Sequence, residues 1–92
     1  MAFDVKEMLD RARGHLAQRL GVSEQDIHEE SIEPTDFPDA ALGAAAEGEM
    51  SAQVITPGWR IRVKANGQTY EYRASARQLR LLNFHGENFR ID

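Results

Sequence analysis

Three histidines, His15, His28 and His85, are the first side chains to test for chemistry, because imidazole titrates near neutrality and ligates metals. They lie in three separate segments and none has an HxxxH-type partner, so their spacing predicts no metal site. Ser23, Ser31, Ser51 and Ser75 lack a nucleophile-elbow context. The chain has no cysteine, which removes disulfides, thiolate zinc sites and a cysteine nucleophile. No glycine pattern suits a phosphate cradle, and the acids of the middle region lack the spacing and glycine of an EF-hand. No catalytic, cofactor-binding or metal-binding residue is assigned on this basis, and the expectation is a binding or structural module, not an enzyme.

Charge is unevenly distributed along the 92 residues. The net charge is −4, and residues 21–59 contain nine acids with no lysine or arginine, whereas residues 60–92 carry seven basic and three acidic side chains. Such segregation either steers a partner or joins two halves of one fold. Arg60, Arg62, Lys64 and Arg73 share a strand face that could contact phosphates, but Glu71 interrupts it and the protein is acidic overall; nucleic acid is not the expected partner.

One run looks more deliberate than a scaffold needs: Gln53-Val54-Ile55-Thr56-Pro57-Gly58-Trp59. A β-branched approach leads into Thr56-Pro57-Gly58-Trp59, which has proline and glycine where a type II turn wants them. A rigid apolar tip beside the only tryptophan is the expected contact with a protein or peptide partner. The plainer alternative is that Trp59 caps the core.

The elements that must position this run are legible to different degrees. Asp4 and Glu7 form a capping box, Phe3 and Met8 a hydrophobic staple, and Val5, Met8, Leu9, Ala12, Leu16 and Leu20 an apolar stripe ending at Gly21. These predict a helix over about 4–20. The acidic region 23–50 reads as a helical turn, an edge strand broken at Pro34, a turn capped by Asp39, and a mobile loop from Gly43 to Glu49. A β-meander is expected over about 51–84. Asn66-Gly67 sets Val63 opposite Tyr70 and Ile61 opposite Tyr72, the type II turn sets Val54 opposite Ile61 and Ala52 opposite Val63, and Leu79–Phe84 adds a fourth strand. Residues 85–92 are left as a tail that turns at Gly86. The fold expected is α+β, one domain, with the N-terminal helix packed on a three- to four-stranded antiparallel sheet. The N-terminus MAFDVKEML lacks a basic region followed by an apolar one, and no apolar run reaches spanning length, so a cytoplasmic location with no membrane partner is expected.

Pro38-Asp39-Ala40-Ala41-Leu42-Gly43, Met50, AQVITPGWRI over 52–61 and Tyr70-Glu71-Tyr72 together resemble a family of small uncharacterised bacterial proteins. Its members carry a PDxxLG…M…AQVITPG(Y/W)RI…YEY pattern after a helix ending in LGV. The resemblance spans about residues 5–75 and implies a fold unit, with no activity attached. Many members look exported and have a cysteine after the LG, where this chain has Ala44. A looser similarity is to cystatins, whose QVVAG-type hairpin inserts into papain-like proteases. It implies protease inhibition through the Gln53–Trp59 turn as the alternative function.

Overall fold

The computed structural model describes residues 4–91; Phe3, the expected staple partner of Met8, lies outside the described residues. Helix α1 runs Val5–Leu20, and Asp4 caps it by accepting the Glu7 amide at 2.8 Å. Gly21 ends it in the left-handed region at φ 68°, where its own amide and that of Val22 both reach the Ala17 carbonyl. The stripe buries Met8, Ala12, Leu16 and Ala17.

A single 3-10 turn, Glu24–Asp26, capped by the Ser23 hydroxyl, carries the chain to the sheet. Five antiparallel strands follow in meander order: β1 His28–Phe37, β2 Thr56–Ala65, β3 Gln68–Ala74, β4 Leu79–Phe84 and β5 Glu87–Arg90. The class is as expected, one helix on an antiparallel sheet, with one strand more than the three to four anticipated. The extra strand comes from the supposed tail. His85 and Gly86 are both left-handed, at φ 53° and 82°, and make a two-residue turn between β4 and β5. Phe89 then pairs with Leu81 and packs on the core.

Register at the Asn66-Gly67 hairpin is as expected: Val63 faces Tyr70, Ile61 faces Tyr72, and Arg62 faces Glu71. The upstream expectation fails. Thr56-Pro57-Gly58-Trp59 is not a turn; it is extended chain at the start of β2, paired with Phe37, Asp36, Thr35 and Pro34 of β1. Ile61 therefore faces Ile32 on that side, not Val54, and residues 51–55 belong to no strand. Pro34 does not break β1, which is an edge strand and tolerates it; the irregularity falls between Glu29 and Ser31. Gly58 is needed for space and not for a positive φ. A Cβ there would overlap the Ala74 carbonyl oxygen and press on the Phe37 ring.

The main core lies between α1 and the sheet, where Met8, Ala12, Leu16 and Ile27 meet Ile61, Val63, Tyr72, Ala74, Leu79 and Leu81. The opposite sheet face has a small apolar patch of its own: Phe37, Ala41, Leu42 and Ala44 are all buried but are not members of the helix-side cluster.

Two glycine substitutions should separate the two roles of glycine in denaturant melts. Gly21→Ala has room for its Cβ and bears only the left-handed conformation, so it should destabilise by about 1 kcal/mol. Gly58→Ala forces backbone apart and should cost clearly more, about 2–3 kcal/mol. Equal costs would contradict the close approach at Ala74.

Candidate binding surface

On the face away from the helix, four arginines stand on three neighbouring strands. Arg60, Arg62 and Arg73 converge on one carboxylate, Glu71, at 3.2, 3.3 and 2.9 Å. Arg62 also reaches Glu33 of β1 at 3.3 Å. The basic second half of the chain is thus partly neutralised from within and partly by the acidic first half. The fourth, Arg80, is only 2% exposed. Its two terminal nitrogens donate to the two Glu49 oxygens at 2.6 and 2.7 Å, one also donates to the Ala44 carbonyl, and Nε donates to the Gln78 side chain. A fork-to-fork pair of this kind is among the stronger protein hydrogen-bond arrangements. The Arg80 guanidinium, helped by the Ala46 amide at 2.9 Å, holds the Glu49 carboxyl down at about 2.

These contacts reverse one expectation. The stretch from Gly43 to Glu49 has the composition of a mobile loop, yet partners distant in sequence pin it to the sheet. Arg73 donates to the Leu42 and Gly43 carbonyls at 3.0 and 3.2 Å, with its guanidinium 5.4 Å from the Phe37 ring centre. Gln78 holds the Ala40 carbonyl at 2.7 Å and Asn88 holds that of Ala45 at 3.0 Å. Asp39 accepts the amides of Ala41 and Gly43, capping the turn as expected.

The chain leaves this anchored loop as an exposed apolar strip. Met50 is 95% exposed, Val54 53% and Ile55 70%; they are the large hydrophobic side chains so exposed among the described residues. The strip is not slack. The Ala52 carbonyl accepts both the Ala40 and the Val54 amide at 2.9 Å, folding a tight turn at Gln53, and the Thr56 hydroxyl donates to the Val54 carbonyl. Of the seven residues expected to bind, Gln53, Val54, Ile55 and Pro57 are exposed, while Thr56, Gly58 and Trp59 are half-buried in β2. Trp59 packs against the helix-side core. The seven do not form one turn tip, so the hairpin that a cystatin-like inhibitor would insert is not formed. Sequence reasoning places Met50, a lone apolar residue in a polar stretch, in the family pattern but not in the binding run, and passes over the Arg80–Glu49 pair, whose members are 31 residues apart.

Two concave regions lie elsewhere. Pairing of β3 with β4 stops at Glu71 and Leu82, leaving a crevice of about 410 Å³ that includes Tyr70, Phe84 and His85. A shallow groove along α1 includes Arg11, His15, Gln18 and Glu24. His15 Nδ1 lies 2.8 Å from the Tyr72 hydroxyl. Burial, then Arg19, lowers the His15 pKa, and burial raises that of Tyr72, so both stay neutral at physiological pH. Among the described residues no group of three or more His, Cys, Asp or Glu could hold a metal, and no helix is long and apolar enough to cross a membrane.

The chain belongs to the family described as Domain of unknown function (DUF8738), whose model matches residues 9–82. That span takes in most of α1, the anchored loop, the apolar strip and Arg80. No curated protein and no solved structure matches the chain.

Acid titration should report the Glu49 clamp. Because the folded-state pKa of Glu49 is depressed from an ordinary 4.5 to about 2, its contribution is fully present above about pH 4.5 and is lost as pH falls toward 2. His15, also depressed, adds a separate loss that begins below its ordinary 6.5. Urea midpoints measured from pH 7 to 2 should fall in both windows, and Glu49→Gln should flatten only the lower one. An unchanged lower window in that variant would contradict the assignment.

Proposed function

We propose that this protein is a small protein- or peptide-binding module whose contact surface is the strip Met50–Ile55 with Pro57 beside it. One observation carries the reading: the large exposed hydrophobics of the described chain fall within six consecutive residues, and that run is held in place at several points instead of trailing free. Exposed apolar side chains scattered singly need no explanation, whereas a grouped and ordered set marks a contact surface. Ordering before binding matters because side chains and backbone already fixed lose less entropy on association. Trp59 packs on the helix-side core, and its ring is not the tip of the surface.

The test is a paired measurement on Ile55→Ser and Met50→Ser. Neither side chain is buried, so both variants should melt within about 0.5 kcal/mol of the parent. Capture of partners from the source lysate should nevertheless drop strongly in both. Capture that survives both changes in a normally folded protein would remove the strip from the function.

A further inference from the structure

We propose that the partner of the Met50–Ile55 strip is a basic segment, one or two aliphatic side chains flanked by lysine or arginine. This rests on the binding role given above and adds the chemistry of what is bound.

The argument lies in the charges that frame the strip. Asp36 is exposed and stands opposite Pro57, two residues from Ile55, and Glu47 is exposed in the turn closed by the Glu49 amide on the Ala46 carbonyl, directly ahead of Met50. Among the described residues neither is in an ion pair. Asp39 adds a third carboxylate, next to Ala40 whose amide is bonded to Ala52. Glu49 does not count, since Arg80 neutralises it. Against these stand Arg77, exposed in the turn whose Gln78 touches Ala40, and Arg90, exposed at the end of β5, whose charge reaches Glu49. Arg60, Arg62, Arg73 and Arg80 do not offset the frame, because they are engaged with Glu71, Glu33 and Glu49.

An apolar strip inside an acidic rim selects among occupants. A second copy docked about a two-fold axis would bring Asp36 and Glu47 near their own counterparts, and like charges across an interface oppose association. An acidic or neutral segment gains nothing from the rim. A basic segment places its aliphatic side chain on Val54 and Ile55 and its cations on free carboxylates, and the rim steers its approach.

A random dodecapeptide display library panned on the full chain, with binders to Ile55→Ser subtracted, tests this directly. Peptides retained only by the parent should be enriched in Lys or Arg flanking Leu, Ile or Val. The affinity of a selected peptide should weaken about fivefold between about 50 mM and about 300 mM NaCl, where screening shortens from roughly 14 to 6 Å. Asp36→Asn with Glu47→Gln should weaken it by a similar factor at low salt and abolish most of the salt dependence. Ile55-dependent peptides that are neutral or acidic, or whose binding ignores salt, would overturn the basic partner while leaving the binding surface standing. A complete lack of Ile55-dependent peptides would overturn the surface itself. A parent protein that sediments as a dimer, and as a monomer with Ile55→Ser, would show that the occupant is a second copy.

Discussion

An arginine with almost no exposed surface, set on the sheet face that the helix does not cover, has to be compensated or the fold does not hold. Removing the partner of a buried guanidinium leaves an unpaired charge that costs about 3–5 kcal/mol. In this protein the compensation for Arg80 comes from Glu49, Ala44 and Gln78. Two of these three sit in the connection between β1 and β2, so satisfying one side chain fixes where residues 44–49 must lie. Arg73 does the same for Leu42 and Gly43. A connection as long as residues 38–55 with no helix or strand of its own is unusual in so small a domain, and long connections of that kind tend to be functional. The exposed strip follows from this constraint: the chain comes off the clamp at Glu49 and has to reach the start of β2 at Thr56.

The two faces of the sheet are stabilised by different physics. Toward α1 the contacts are apolar, from Met8 and Leu16 to Ile61 and Leu81. On the reverse face the apolar patch around Phe37 is small, and ion pairs and backbone carbonyls satisfy the arginines above it. This explains the segregated charge of the sequence. Acidic β1 lies beside basic β2, so that Glu33 pairs with Arg60 in the ladder and bonds Arg62 through its side chain. Asp36 and Glu47, which are in no ion pair among the described residues, lie at the end of the sheet where the strip is.

Local signals were legible in the sequence because their partners are a few residues away. Asp4 with Glu7, Gly21, and Asn66 with Gly67 each specify a backbone conformation without reference to the rest of the chain, and each is found where expected. Thr56-Pro57-Gly58-Trp59 misled for the converse reason. Its residues suit a type II turn, but pairing with Pro34–Phe37, some twenty residues upstream, takes precedence, and Gly58 serves the close approach to Ala74. The strand β5 was missed because four residues carry little periodicity, and the clamp because nothing local distinguishes Arg80 or Glu49 from other surface charges. Four of the seven residues of the expected run, Gln53, Val54, Ile55 and Pro57, are therefore exposed in or beside a strip whose position, and whose inclusion of Met50, only the fold could give.

Amide hydrogen exchange across residues 40–55, compared between the parent chain and Glu49→Ala, measures the clamp itself. The account predicts slowed exchange at Ala40, Ala44, Ala46 and Val54 in the parent, where each amide has an acceptor within the loop and strip. In Glu49→Ala that protection should fall through Ala44 and Ala46 while Val63 and Tyr72 in the sheet keep theirs. Exchange at unfolded rates in the parent, or a loop equally protected without Glu49, would contradict the claim that the Arg80–Glu49 ion pair fixes residues 44–49, from which the strip departs.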